Sequence, residues 1–457
     1  MKKLFPAILI LAATGIISGC TMMPRYERPV APVPEKFPGV PDKREAFVAE
    51  LSWETFFAEA RLKNLIGLAL TNNRDLRVAI LNVEASRAQY RITRSASFPT
   101  IDSGGNFTRS HALNQTANSW NASIGLAAYE VDLWGRVRSL NSQALEKFFA
   151  TAEARRSAQI SLVAQVATEY FTLRQAEEQI ALANQTLAAV QESYALNKAT
   201  FDAGASSELD LRTAEGQVQT AKINLLTYER QRAETQNYLA VLLGQTVPEE
   251  LPAPLPFSDT NLLAEIPAGL PSELVLRRPD ILQAEHTLKA ANANIGAARA
   301  AFFPAVQFTS SVGTTSSEFS KLFSSGTGLW SFSPQITLPI FTGGQNRADL
   351  NAAKIRTRIE VANYEKAIQT AFREVADALV ANSSYASQIE AGRLLIAAQQ
   401  SRYDLANLRY RQGDDSYLNV LSAQQDLYSA QQNILQAQFQ KLSAQVLLYQ
   451  ALGGGWK

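Results

Sequence analysis

An apolar residue returns at every seventh position over two long stretches of this chain. Val166, Leu173, Ile180, Leu187 and Tyr194 make one series; Val361, Ile368, Val375, Ile389, Ile396 and Tyr403 make the other, with Asn382 in its single gap. A strict seven-residue period makes a helix lay one seam against a neighbour along its length, the signature of a coiled coil. The first series lies in a helical pattern running from Val137 to Ala199, about 63 residues, or roughly 95 Å at ~1.5 Å per residue. That is too long for a compact domain. Abundant alanine lets neighbouring helices approach closely. Periodicity alone leaves a plain two-stranded rod open.

Each pattern stops at a glycine. "FDAGASSELDL" holds Gly204 and "YRQGDDSYLNV" holds Gly413, which follows it by 209 residues. The echo extends both ways: "SASFPTIDSGG" with "RAAFFPAVQFT", "VDLWGR" with "LPIFTGG", and "AVLLGQ" with "YQALGGG". A repeat of this kind must be recognised before a fold is assigned. Each copy has a helix ending at Phe-Pro, two strand-like stretches, a long helix to the glycine turn, and a shorter helix back. The expected boundaries are 1–19 for a signal peptide, 20–60 for a tether, 61–245 for the first copy, 246–275 for a linker, 276–452 for the second copy and 453–457 for a tail. The helices before Phe-Pro are expected at about Arg61–Ser97 and Pro279–Phe302, and the first returning helix at Ser206–Leu243.

The strands show period two. In 332–341 Phe332, Pro334, Ile336, Leu338 and Ile340 share one face, while Ser333, Gln335 and Thr337 share the other. Val306, Phe308 and Val312 alternate with Gln307, Thr309 and Ser311, and in "WNASIGLAAYEVDLW" the apolar face switches near Ala127–Ala128. Strands of about ten residues with one apolar and one polar face suit a bilayer-spanning barrel, which needs at least ~8 of them. Four strands cannot close alone, and an open sheet edge cannot sit in lipid. Protomers must therefore share the barrel, and the count alone allows two or three of them.

The N-terminus reads as an export signal. Lys2 and Lys3 precede the apolar "LFPAILILAATGII", too short for a comfortable membrane span, and then "ISGC". The only cysteine, Cys20, stands where cleavage would fall, so Ile17–Cys20 resembles a bacterial lipobox in which that cysteine is acylated. Thr21, rather than an aspartate, implies by the same analogy the outer membrane over retention at the inner one. The proline-rich "PRYERPVAPVPEKFPGVPDK" that follows reads as an extended tether, lying along a surface or loose.

Lipobox, paired strand hairpins, paired coiled-coil hairpins and duplication together resemble the outer-membrane factors of TolC and OprM type, in the lipoprotein branch serving resistance-nodulation-division efflux pumps. "LRRPDILQAEHTLKAANANIGAARAAFFP" (276–304) carries the resemblance most strongly; "LSWETFF", "ALTNNRDLRVA", "YEVDLWGRVR", "YRQG" with "SYLNVL", and "ALGGGW" agree with it. The resemblance implies a mixed α and β fold. Three chains would share a twelve-stranded transmembrane barrel, four strands each, continuous with a periplasmic α-helical barrel. It implies a homotrimer working with a periplasmic membrane-fusion adaptor and an inner-membrane pump of that class, with outer-membrane lipid around it. Gly204 and Gly413 would be helix-tip turns at the inner end of the tunnel. Tyr410 and Asp210 match a tyrosine–aspartate link that holds such mouths closed. Asp415, with Asp414 beside it, matches an acidic position at the aperture, where a carboxylate ring would favour cations. Asn419 and Ser422 stand where relatives carry further aspartates, so a second acidic ring is not expected.

Other classes find little support. The formal charge of +1 gives no electrostatic case for nucleic acid. The only histidines, His111 and His286, are far apart and show no Ser-His-Asp pattern. No His/Cys spacing suggests a metal, and the glycines at 453–455 lack the following Lys-Ser/Thr of a phosphate loop. No cofactor and no catalysis are expected. The expected function is a passive exit duct for small toxic compounds such as drugs. The alternatives are a protein-secretion or metal-ion duct of the same fold, or a structural envelope lipoprotein.

Overall fold

A computed structural model describes residues 21–34, 37, 52–257, 263 and 276–454. The expected signal peptide, Cys20, most of the segment from 35 to 51, much of the linker before 275 and the last three residues lie outside these. After a short helical turn at Trp53–Phe56, the elements are α1 (Ala60–Asn72), α2 (Arg74–Ser95), β1 (Ile101–Ala112), β2 (Gln115–Val131), α3 (Arg136–Asp202) and α4 (Glu208–Leu243). The second copy supplies α5 (Pro279–Ala300), β3 (Ala305–Ser316), β4 (Gly328–Thr337), α6 (Gln345–Gln412) and α7 (Tyr417–Ala451). The helix–strand–strand–helix–helix order therefore occurs twice. No helix among the described residues is long and apolar enough to cross a membrane.

The described residues form two compact units. One takes the residues up to Ala31 with Leu81–Ala154 and Asp280–Ala367; the other takes Pro32–Ile80, Arg155–Pro279 and Ile368–Lys457. The first holds a single antiparallel sheet in the order β1-β2-β3-β4, so β1 and β4 are its free edges. The register divides its faces cleanly. Phe107 pairs with Trp120, Ile124 with Val312, Val312 with Trp330, and Val306 with Ile336, which gathers the aromatic and branched side chains on one face. The opposite face carries Asn106, Thr108, Ser123, Ser311, Ser331 and Gln335. The apolar face of β2 stays in register because one extra residue is accommodated between Leu126 and Tyr129, where Ala128 has φ 38°. This bulge is the cause of the face switch in the sequence.

Two boundaries differ from the sequence reading. The single helix expected over Arg61–Ser97 is broken at Asn73. Its buried side chain accepts from Leu76 N at 2.8 Å, capping α2, and donates to the Leu242 carbonyl at 2.9 Å. "TNNRD" holds the capping signal that marks the break. The last strand runs over 328–337 rather than 332–341, because Thr337 is opposite Ala305, the first residue of β3, and no partner remains beyond it. Leu338 and Ile340 keep the alternation without the ladder.

The first unit also binds the start of the expected tether. Met22 O accepts from Arg299 at 3.2 Å, Pro24 O accepts from Asn292 at 2.9 Å, and Arg28 pairs with the buried Glu285, which Lys289 also meets at 3.0 Å. These partners recur along one stripe of α5, and Gly296 in that stripe leaves room for the Met23 backbone. Residues 22–28 therefore lie along α5, antiparallel to it.

The second unit is held by a core in which Phe56, Phe57, Leu65, Val166, Tyr170 and Val446 meet. Full burial of side chains of this size is worth about 1.5–3 kcal/mol each. Tyr170 donates to the buried Glu59 at 2.6 Å, and Glu59 also accepts from Leu255 N at 3.0 Å, which fixes the chain after α4 to α3. Arg278 of the "LRRPD" stretch is buried, donating to Glu374 at 2.9 Å and to the Ala451 carbonyl at 2.8 Å. It neutralises a carboxylate and caps the negative end of α7.

Glycines end the helices for two separable reasons. Gly204 has φ 72° with open space where a Cβ would stand, whereas Gly244 has φ 67° and a Cβ there would strike the Asn72 carbonyl. Gly204→Ala should cost about 1–2 kcal/mol, the left-handed strain alone. Gly244→Ala should cost more and lower the unfolding temperature further. Equal shifts in a thermal melt followed by circular dichroism would contradict the clash.

Candidate functional site: the helix tips

Both long helices close with the same backbone device. After α3, Gly204 N donates to Phe201 O at 2.8 Å and Ala205 N to Thr200 O at 2.8 Å; after α6, Gly413 N donates to Tyr410 O at 3.0 Å and Asp414 N to Arg409 O at 2.9 Å. This is the Schellman pattern, whose left-handed residue favours glycine; Gly204 and Gly413 have φ 72° and 83°. Each chain then enters a returning helix through a serine, Ser207 or Ser416, with nearly identical backbone angles.

The side chains at the two tips are not equivalent. In the first, Ser207 Oγ accepts from Asp210 N at 3.1 Å and donates to Asp210 Oδ2 at 2.7 Å, so Asp210 is bound within its own helix cap. In the second, Asn419 occupies the position of Asp210 in the repeat. Ser416 makes no side-chain cap bond, and Asp415 instead accepts from Ser416 N at 2.8 Å and from the Asn419 amide at 2.6 Å. Those two donors, the Asn419 amide first, with Arg409 adding its charge, hold the Asp415 carboxyl below the usual carboxylate range. It is ionised throughout the physiological range. Asp414 is exposed.

The two hairpins meet in a small aromatic cluster of Ala214, Tyr417 and Val420 with Tyr194, Tyr403, Ala406 and Tyr410 packed against it. Tyr410 and Tyr417 have ring centroids 5.6 Å apart. Tyr410 Oη donates to Asn197 Oδ1 at 3.1 Å, a bond between α6 and α3. Burial, and then the negative charge of Asp210, raise the Tyr410 phenol above its ordinary value. Burial also pushes the Tyr417 phenol up to about 12, so both remain protonated, and of the two hydroxyls only that of Tyr410 meets an acceptor among the described residues. Asp210, Tyr410, Asp415, Gly204 and Gly413 all line one open cleft of about 1210 Å3. Tyr410 and Asp210 are thus brought to the same cleft and feel each other electrostatically, while the hydrogen bond of Tyr410 goes to Asn197.

Asn197 escaped the sequence reading. The available signal was the break in the repeat, since the second copy has Ala406 at the matching position. Further ties between helices were also unread: Arg411 to Glu192 at 3.2 Å, and Arg402 to both Asp426 and Ser422. Ser422, which stands in place of an aspartate, accepts from that arginine at 3.2 Å. No group of His, Cys, Asp and Glu among the described residues could hold a metal ion.

Comparison with known proteins places this geometry. Residues 65–245 and 270–454 match the family described as outer membrane efflux protein. The chain is 46% identical to the probable efflux pump outer membrane protein TtgC of Pseudomonas putida, over 98% of this chain and 96% of that protein. It is 42% identical to the outer membrane protein OprJ of Pseudomonas aeruginosa, over 98% and 95%. Among solved structures, the open state of the MtrE outer membrane channel of Neisseria gonorrhoeae superposes with a TM-score of 0.88 at 41% identity, covering 96% of this chain and 99% of that one. With its duplicated strand and helix hairpins, its glycine-closed tips and matches over nearly its whole length, this chain belongs to the outer membrane efflux protein family.

Proposed function

We propose that three copies of this chain form a passive outer-membrane exit duct for an efflux pump, opened and closed at the helix tips. The observation that carries this is the sheet: one apolar face, one polar face and two unpaired edges. Such a sheet enters lipid only when its edges are paired by other copies. Two copies would give eight strands, whose interior is filled by side chains or holds one small ligand. A conducting lumen takes three. The duct does no chemistry and supplies no energy. A pump in the inner membrane does so, and a periplasmic adaptor docks at the tips and favours their splayed state, a population shift. The relatives are named for toluene, solvent and antibiotic efflux, and small apolar or amphipathic compounds are the proposed cargo.

Acylation of Cys20 is part of the same reading. The segment just after it is bound to Arg299 and Asn292, near the end of α5 that leads into β3. This holds Met22, two residues after the proposed acylation site, near that end of α5. The native mass in mild detergent should equal three mature chains beginning at Cys20, each heavier by a diacylglycerol and a third acyl chain. An unlipidated monomer would overturn both statements.

The tips are proposed to rest closed, with Tyr410 as the tie between hairpins and Asp210 as the charge beside it. Tyr410→Phe removes the bond to Asn197, and Asp210→Ala removes the charge and the acceptor of the Ser207 hydroxyl while leaving the cap from Ser207 Oγ to the N–H of residue 210 in place. The double variant should conduct several-fold more in a planar bilayer without adaptor. Unchanged conductance would sink the latch while leaving the duct standing.

A further inference from the structure

The polar face of the sheet is unusual in what it lacks. Of the residues in β1 to β4, only Asp102, Arg109, His111 and Glu130 bear carboxyl, guanidinium or imidazole groups, Tyr129 adding a phenol. Arg109 and His111 lie on the apolar face, in alternation with Phe107 and opposite Asn118 and Thr116. Asp102 and Glu130 lie on the polar face, both at the end of the sheet from which the helices continue. Everything else on that face is hydroxyl, amide, glycine, alanine or Leu329. Glu130 is spent: Arg136 grips it with two hydrogen bonds, one of 2.8 Å from Nε. Bidentate pairing of this kind leaves little field beyond the pair. Asp102 is exposed, and no hydrogen bond or ion pair reaches its side chain among the described residues.

We infer that the sheet-lined part of the duct is an uncharged wall whose only discrimination between ions comes from Asp102, one carboxylate per chain at its inner entrance. This rests on the duct reading above, which turns the polar face toward the lumen. Twelve strands ~4.8 Å apart and tilted ~40° close a barrel of roughly 12 Å radius. The Debye length is ~30 Å at 10 mM salt, so the field of three carboxylates fills an opening of that size. At 1 M it is ~3 Å, and the field stays at the wall. The ring should therefore enrich cations at low salt and be invisible at high salt. Above it, hydroxyls and amides offer solvation to either sign and hold neither. For bulky amphipathic cargo this means an exit without a binding site, with any charge preference set at the two acidic levels, the helix tips and Asp102.

The test is a reversal potential across a KCl gradient in planar bilayers. The background is Asp210→Asn/Asp414→Asn/Asp415→Asn, which removes the carboxylates assigned to the tips. That background should still prefer potassium at about 10 mM and lose the preference near 1 M. Adding Asp102→Asn should abolish the low-salt preference, Asp102→Glu should restore it, and Asp102→Lys should reverse it toward chloride. Heat-stable oligomer on a denaturing gel checks that each variant assembles. A conducting, assembled Asp102→Asn channel with an unchanged reversal potential would overturn the inference alone. A protein that forms no channel with any of these residues, native ones included, would overturn the duct reading and the inference together.

Discussion

The unsatisfied edges of a four-stranded sheet set the terms for the rest of this protein. A backbone N–H or C=O left unpaired in hydrocarbon costs several kcal/mol, and β1 and β4 each present a row of them. That cost couples folding to assembly. It also explains why the apolar face must be continuous. One extra residue in β2 would turn half the strand inside out, and the bulge at Ala128 absorbs it. The same logic fixes the ends of the strands: β4 stops where β3 has no more residues to offer, whatever its own alternation allows.

The second theme is a duplication that is symmetric in backbone and asymmetric in side chains. Both tips use the same glycine turn and the same serine entry into the returning helix. Yet at one tip Ser207 caps the helix and is itself held by the Asp210 carboxylate, while at the other Asp415, outside the helix, accepts from the Asn419 side chain. Phe201 and Tyr410 share a repeat position, as do Asn197 and Ala406, so only one tip supplies the phenol and only the other its acceptor. A symmetric pair could not form that bond. Divergence between the copies turned two identical turns into a donor and an acceptor, the arrangement a breakable tie requires.

Much of the fold was legible in the residues because it depends on local rules. Glycine takes the left-handed turn that other residues resist, so Gly204 and Gly413 marked the ends of α3 and α6 to within a few residues. The seven-residue series names residues that are buried or half-buried along the helices, Val166, Leu173, Ile368 and Val375 among them. Alternation disclosed three of the four strands, and the face switch that the bulge produces. The break at Asn73 was written in a capping signal but hidden by an apolar pattern that continued through it.

What the sequence determined by itself was therefore most of the elements, the extent of the long helices, the duplication and the sheet's need for partners, since each follows from periodicity or from the backbone preferences of single residues. What only the tertiary structure decided was which polar groups meet. Tyr410 chose Asn197 over Asp210, Arg278 joined Glu374 to the end of α7, Arg136 took Glu130 out of play, and Asp102 was left alone. These pairings join residues far apart in the chain, or turn on ångström-scale differences in how helices and strands are set. A polar side chain is committed by the nearest well-placed partner, and nothing in the order of residues states which partner that will be.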